Sequence, residues 1–483
     1  MEKVEGYVFT ALCSINFLVS CLLFSKVTRE LRDPYMDEVF HIPQAQRYCR
    51  GKFKEWDPMI TTLPGLYLVS VGIIKPVAWF ANLSSSTLCS TSMLRFTNLL
   101  FNCGNIYLLY LLISKLHQRD KARLMSRRIL SALALSTFPV LYFFTFLYYT
   151  DVGSTFFILF AYLMTLYGCH KASALLGVCA VLFRQTNIVW VAFCAGTVVA
   201  AKMDDAWRKE YMKKSDEKPP AVRVPLSPQG VKKVLTFSLE FFTTSETAMA
   251  VIKVAWPYAV VGVGFLVFVL LNEGIVVGDR TSHQVCFHFP QVFYFFSFTY
   301  LFSLPVSLCR HRTLRFGHAL KRHPLFYSVI TIISLVLVWK FTYVHKYLLA
   351  DNRHFPFYIW KNIYQRHELV RFLLVPAYIF TGWNFLETLK SRSFFMSLAY
   401  LTCLALATVP QELLEFRYFI VPYLIYRLHM PLPSFSRLGG EFLLYTVVNM
   451  ATIYLFIAKT FSWPLSLATQ RFMWCFQAQN EAM

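Results

Sequence analysis

Apolar residues gather along the chain into fourteen runs, near 7–25, 64–80, 94–114, 129–147, 152–169, 172–183, 187–201, 251–272, 291–309, 325–344, 369–387, 394–410, 419–430 and 441–459. A helix rises 1.5 Å per residue, so crossing a hydrocarbon core of about 30 Å takes roughly 20 mostly apolar residues. The pattern therefore predicts an all-α polytopic membrane protein. The polar connectors then set its sidedness. Residues 115–128 hold six Lys or Arg against one acid, 202–233 hold nine against five, and 310–322 hold five with no acid. With Lys390 and Arg392, these four segments read as cytoplasmic.

One run conflicts with that assignment. If 64–80 crossed the membrane, the basic segment 115–128 would face away from the other three. The run is short and contains Lys75-Pro76, so it is expected to be an interfacial or re-entrant helix. About 13 spans remain (range 12–14), with the N-terminus cytoplasmic and a long first luminal loop over 26–93. The run from Tyr7 to Phe24 has no small-residue cleavage site after it and reads as a retained anchor. Residues 172–201 form a hairpin whose polar tip, Arg184-Gln185-Thr186-Asn187, points to the luminal side. The segment 202–250 is expected to be a hydrophilic cytoplasmic loop, flexible over 202–233, which holds Pro219-Pro220, Pro225 and Pro228. There is no internal repeat, so the whole chain 1–483 reads as one membrane domain.

Composition supports this picture. Of 483 residues 56% are hydrophobic and 15% are charged, against about 25% charged in soluble domains. Mean hydropathy is +0.47. The net charge of +21 would suggest nucleic acid in a soluble protein; here most of it sits in the orienting loops, and no nucleic-acid partner is expected. Twelve cysteines include no Cys-x-x-Cys pair and most lie in apolar runs, so neither a disulfide framework nor a metal site is expected. The sequon Asn82-Leu83-Ser84 falls on the luminal side and makes Asn82 a candidate glycosylation site.

The unusual polar residues concentrate on that same face. Asp37 and Glu38 are adjacent carboxylates just beyond the first span, able to supply a general base; a solvated loop start, or pairing with Arg47 or Arg50, is the competing reading. Trp56 and Asp57 suit a sugar ring, and Trp56 equally suits an interfacial anchor. Asp151, in Tyr148-Tyr149-Thr150-Asp151, is either a ligand or a helix cap. Arg184, the segment Gly278–His283 and the segment His345–His354 put basic residues where orientation rules predict few. Such residues suit a lipid phosphate, with snorkelling as the alternative. There is no Asp-x-Asp, no phosphate-binding glycine loop and no His/Cys cluster of metal spacing, so no metal and no cofactor are expected. An enzyme here would take a substrate activated in another way, plausibly on a lipid.

The strings MDEVFHIPQAQRYC, WDPMITTLPGLY, FLYYTDVGS, FRQTN, GDRTSHQ, HKYLLADNRHFPFYIWK and LLEFRYFIVPY closely resemble the dolichyl-phosphate-glucose-dependent α-1,2-glucosyltransferases of the endoplasmic reticulum. The resemblance covers essentially the whole chain. It implies a multi-pass GT-C fold in that membrane with a luminal active site. It also implies inverting transfer from dolichyl-phosphate glucose to the 2-hydroxyl of the terminal glucose of a diglucosylated dolichyl-pyrophosphate oligosaccharide. On that resemblance Asp37 is the expected base, with Glu38 orienting or replacing it. Arg184, His283, Lys346 and Arg353 are candidates for the donor phosphate, and Trp56, Asp57 and Asp151 for the acceptor. Two other classes stay open. A non-catalytic or channel-modulating membrane partner needs no acid–base set. A secondary transporter needs polar groups near mid-membrane, whereas the distinctive strings here sit at loop edges.

Overall fold

The computed structural model describes residues 2–82, 89–118, 125–214, 228–280, 285–350, 355–462 and 469–471. They are almost wholly helical. In chain order the main helices are α1 (Glu2–Glu30), α2 (Glu38–Cys49), α3 (Gly65–Phe80), α4 (Thr91–Leu116), α5 (Met125–Ser136), α6 (Pro139–Phe144), α7 (Thr150–Leu166), α8 (His170–Phe183) and α9 (Ile188–Lys214). They continue with α10 (Pro228–Thr243), α11 (Ser245–Leu271), α12 (Pro290–Phe302), α13 (Arg310–Arg322), α14 (Pro324–Phe341), α15 (Val375–Leu389), α16 (Phe394–Thr408), α17 (Ile420–His429) and α18 (Phe435–Ala458). Among the described residues a two-stranded antiparallel pair joins Thr460–Ser462 to Thr469–Arg471.

Every apolar run assigned as a span coincides with a helix or a broken pair of helices. Six helices of the described residues (α1, α4, α9 with its preceding turn, α11, α14 and α18) are long and apolar enough to cross a membrane. Others are divided where proline removes a backbone donor: α5 and α6 part before Pro139, and α12 ends at Phe302, two residues before the short turn that holds Pro305. The run 64–80 is realised as α3, whose 16 residues extend about 24 Å, less than the hydrocarbon thickness.

Two expectations are corrected. The segment 202–250 is largely helical where it is described, not a flexible loop. Helix α9 continues to Lys214, and α10 lays Val234, Phe237 and Phe241 against Ala200, Met203 and Phe395. Those three α10 positions recur at three- and four-residue spacing, one face of a helix, which the surrounding charges had masked. Second, Cys49 and Cys89 form a disulfide across a separation of 40 residues. It ties the end of α2 to the residues leading into α4, where Gln46 Nε2 also donates to the Cys89 carbonyl at 3.2 Å. Linear spacing gave no hint of it, because the two cysteines meet only when 26–93 folds back on itself.

Among the described residues three ion pairs are buried on both sides. Arg128 pairs with Glu5, Arg427 with Glu441 and Arg95 with Glu38. The last lies at the end of the bundle where α1 stops and α2 begins, beneath the cluster described next.

Candidate active site

Helix α1 ends in a knot of hydrogen bonds. Arg95, from the first turns of α4, is fully buried and donates to the Leu31 and Asp33 carbonyls at 2.6 and 3.1 Å. It also grips Glu38 through Nε and Nη2, at 2.8 and 2.6 Å. The Glu38 carboxylate accepts from the backbone N–H groups of Tyr35 (3.0 Å) and Tyr148 (2.6 Å) as well. Both its oxygens face inward and its side chain has 0% exposure. Glu38 is therefore not presented to a substrate, and the expectation that it stands in for a base is corrected. An adjacent pair at a helix start must point in different directions, and here Arg95 claims the second carboxylate.

Asp37 takes the outward direction. It stands at the N-terminus of α2, just after Met36 with φ of 56°, and its side chain is 43% exposed. Its backbone N–H donates to the Tyr149 hydroxyl at 2.8 Å. Arg417, from the 3₁₀ turn Phe416–Phe419 ahead of α17, approaches Asp37 Oδ2 to 3.4 Å and Asp151 Oδ2 to 3.6 Å through the same Nη1. Its other edge holds Glu415 at 2.5 Å. The guanidinium stacks over Phe144 and Tyr149, 5.3 and 5.2 Å from their ring centroids. Burial disfavours its charge, but Glu415, Asp151 and Asp37 more than offset this and hold its pKa well above the usual arginine value.

Asp151 sits in the first turn of α7 and pairs with Arg184 from the tip between α8 and α9. Gly153 makes that pairing possible. A side chain there would run into the Phe183 ring, which packs against α7 one residue before Arg184. Arg184 also lies over the Tyr418 ring at 5.2 Å. The expected helix-cap hydrogen bond from Asp151 is not made; its carboxylate serves two arginines, and Oδ2 has no hydrogen-bond partner among the described residues. A small cavity of about 30 Å³ opens among Asp151, Ser154, Arg184, Asn187, Gln411 and Arg417, room for a water or two.

His41, one turn after Asp37, completes the inner wall, with Nδ1 2.5 Å from the Tyr67 hydroxyl. Burial lowers its pKa to about 4; Asp37 and Asp151 oppose that, and Arg417 and Arg184 reinforce it. Its imidazole is neutral at physiological pH. Trp56 meets Tyr67 edge-on, 5.9 Å between centroids. The Asp57 N–H donates to Gln44 Oε1 at 3.0 Å, and Asp57 Oδ1 accepts from the Met59 N–H at 3.0 Å. The loop beyond them is held from two sides. Gln185 Nε2 donates to the Thr61 carbonyl at 2.9 Å, and the Asp279 N–H donates to the Pro58 carbonyl at 2.8 Å. Gly278, at φ of 78°, lets those strands close, because a side chain there would strike the Pro58 and Ile60 carbonyls.

The fold thus brings Asp37, Asp151 and Arg184 into one network and sets Trp56 and Asp57 beside it through Tyr67. Lys346 is not part of that network: it is exposed on the short helix Lys346–Ala350, its ammonium 5.2 Å from the Tyr347 ring. His283 and Arg353 lie outside the described residues. Asn82 is exposed just after α3, and the Leu83 and Ser84 of its sequon also lie outside them. Arg417, Glu415, His41 and Tyr149 were not picked out from the sequence. Arg417 carried a usable signal, a basic residue on the face where few are expected. Among the described residues no group of three or more His, Cys, Asp or Glu could hold a metal ion; the cation between the carboxylates is a guanidinium.

Fold and site together define a polytopic membrane enzyme whose charged centre is assembled from loops at one end of a helical bundle. Residues 31–428 match the family model described as the DIE2/ALG10 family, and the chain belongs to that family. It is 56% identical over 476 residues to a Rattus norvegicus protein named Dol-P-Glc:Glc(2)Man(9)GlcNAc(2)-PP-Dol alpha-1,2-glucosyltransferase, covering 98% of this chain and 100% of the relative. A Homo sapiens protein of that name is 55% identical with the same coverage. Likeness to the solved oligosaccharyltransferase of Archaeoglobus fulgidus is slight, with a TM-score of 0.29 and 10% identity over 87% of this chain and 54% of that one.

Proposed function

We propose that this chain is a dolichyl-phosphate-glucose-dependent α-1,2-glucosyltransferase of the endoplasmic reticulum membrane. It moves glucose with inversion onto the 2-hydroxyl of the terminal glucose of the diglucosylated dolichyl-pyrophosphate oligosaccharide. The names of relatives more than half identical over the whole chain support the substrates. The observation that carries the mechanism is the network Asp37–Arg417–Asp151–Arg184. The half-exposed Asp37 carboxylate stands beside Arg417, which with Asp151 and Arg184 lines a water-sized cavity.

In this reading the protein is a GT-C enzyme of about 13 spans (range 12–14), with its N-terminus cytoplasmic and its active site luminal. A disulfide within 26–93 supports that orientation, since disulfides persist in the oxidising lumen. Asp37 takes the proton of the acceptor hydroxyl. Arg184 meets the charge of the departing phosphate, with Lys346, His283 and Arg353 as further candidates. Trp56 and Asp57 contact acceptor sugars, and Asp151 holds Arg184 in place. The leaving group is a phosphate already, so no metal is required for departure. The charged groups gather at the ends of helices, away from mid-membrane, which disfavours a transporter.

The test uses the purified full chain with defined lipid-linked substrates. Wild type should convert the diglucosylated acceptor to the triglucosylated form in the presence of chelator, and Asp37→Asn, expressed equally well, should not. Normal conversion by Asp37→Asn removes Asp37 as the base.

A further inference from the structure

Within the cluster, Asp37, Asp151 and Glu415 face Arg184 and Arg417. A phosphodiester entering this space adds another negative charge, and breaking its bond to glucose adds one more. A guanidinium that changes partner would meet that charge.

Arg184 is held closely by Asp151 and meets that charge with that pairing in place. Arg417 is held unevenly. Its Nε and Nη2 edge is anchored on Glu415 at 2.5 Å, at least as close as a strong charge-assisted bond of about 2.7–2.9 Å. Its Nη1 edge lies 3.4 Å from Asp37 and 3.6 Å from Asp151, well beyond that range. Two oxygens share that donor at a distance, neither bonding it closely. Arg417 also lines the cavity and is 14% exposed, while the Asp37 carboxylate is open to solvent beside it. The stacking of the guanidinium over Phe144 and Tyr149 fixes its plane, so Nη1 can meet a new oxygen without the side chain leaving its seat.

We infer that Arg417 is a catalytic residue that exchanges Asp37 for an oxygen of the donor phosphate, anchored throughout by Glu415, so that donor binding itself frees the base. The inference rests on the transfer reaction proposed above. In that step the acceptor O–H gives its proton to the Asp37 carboxylate and its oxygen bonds to the anomeric carbon. The bond from that carbon to the phosphate oxygen breaks, and its electron pair leaves on the phosphate. Dolichyl phosphate departs one negative charge richer, which Arg417 meets through Nη1. Glucose stays at the same oxidation level and no other reactant is consumed.

Competition between Asp37 and the phosphate for one donor gives two variants effects of opposite sign on donor binding. Binding is measured with full-length protein in lipid nanodiscs and a radiolabelled short-isoprenyl phosphate glucose as probe. Asp37→Asn removes the competing charge and should bind the probe roughly two- to fivefold more tightly, the worth of one partly exposed ion pair, although it transfers nothing. Arg417→Gln should bind it about tenfold or more weakly and lose about 100-fold or more in kcat, as for loss of one donor to a developing anion. Arg417→Lys should fall between, keeping the charge without the fork. Equal or weaker binding by Asp37→Asn overturns the exchange, and so does unchanged binding by Arg417→Gln. If Arg417→Gln does not fold, the Asp37→Asn measurement decides alone. Wild type that neither binds the probe nor transfers glucose overturns the transferase reading itself, a result distinct from either variant's failure.

Discussion

Replacing Glu38 by glutamine separates structural from chemical roles in a pair of neighbouring carboxylates. The substitution is nearly isosteric but leaves Arg95, with 0% exposure, without its counter-charge. Breaking a buried pair from one side costs about 3–5 kcal/mol, because the remaining charge stays desolvated. The backbone N–H groups of Tyr35 and Tyr148 also exchange a charged acceptor for a neutral one, at about 1 kcal/mol each. That total is a large part of the 5–15 kcal/mol that holds a typical domain together. Asp37→Asn is the control. Its carboxylate is 43% exposed and 3.4 Å from Arg417, an arrangement worth about 1 kcal/mol or less. The assay is thermal unfolding of the purified full chain in detergent, with glucose transfer measured well below the transition. Glu38→Gln should melt far below wild type, and Asp37→Asn should melt with it while losing transfer. Combining Glu38→Gln with Arg95→Met should recover much of the lost stability, since no unpaired charge is then buried. If Glu38→Gln melts with wild type and yet transfers nothing, the buried-pair reasoning fails and Glu38 returns as a chemical group.

The Cys49–Cys89 bridge spans 40 residues, and removing it with paired serine substitutions should cost about 4 kcal/mol by the loop-entropy relation. In intact microsomes both thiols should react with an alkylating agent only after reduction; labelling without reductant would refute the bridge. His41 gives a pH prediction of fixed sign. Its folded pKa of about 4 lies below the ordinary 6.5 or so, so the unfolded chain binds a proton where the folded chain does not. Its contribution is therefore fully present above about 6.5 and is lost as pH falls from there towards 4. His41→Gln should flatten the acid side of a melting-temperature profile, and parallel profiles for variant and wild type would show that the ring is not held neutral.

Much of this was legible in the chain. Run length and charge-sorted loops marked the helices and put Asp37, Asp151 and Arg184 on one face, because hydrophobic thickness and the bias of basic loops act on local sequence alone. The motif strings identified the family for a similar reason: each is a loop segment whose residues are unusual at a membrane edge. The direction in which adjacent side chains point could not be read that way. Asp37 and Glu38 look equivalent until Arg95, 57 positions further along the chain, buries one of them. The amphipathic face of α10 was hidden because its partners are Ala200, Met203 and Phe395 from other helices. Cys49 and Cys89, 40 positions apart, showed no pairing for want of the fold that joins them.

The sequence by itself determined the class of the protein, the positions of its apolar helices and the family to which it belongs, since these follow from composition and local pattern. Only the tertiary structure decided which carboxylate is presented and which is buried, and that Arg417 stands between Asp37 and Asp151. Those contacts join residues up to 380 positions apart. Their distances are set by helix packing, and short-range pattern carries no information about them.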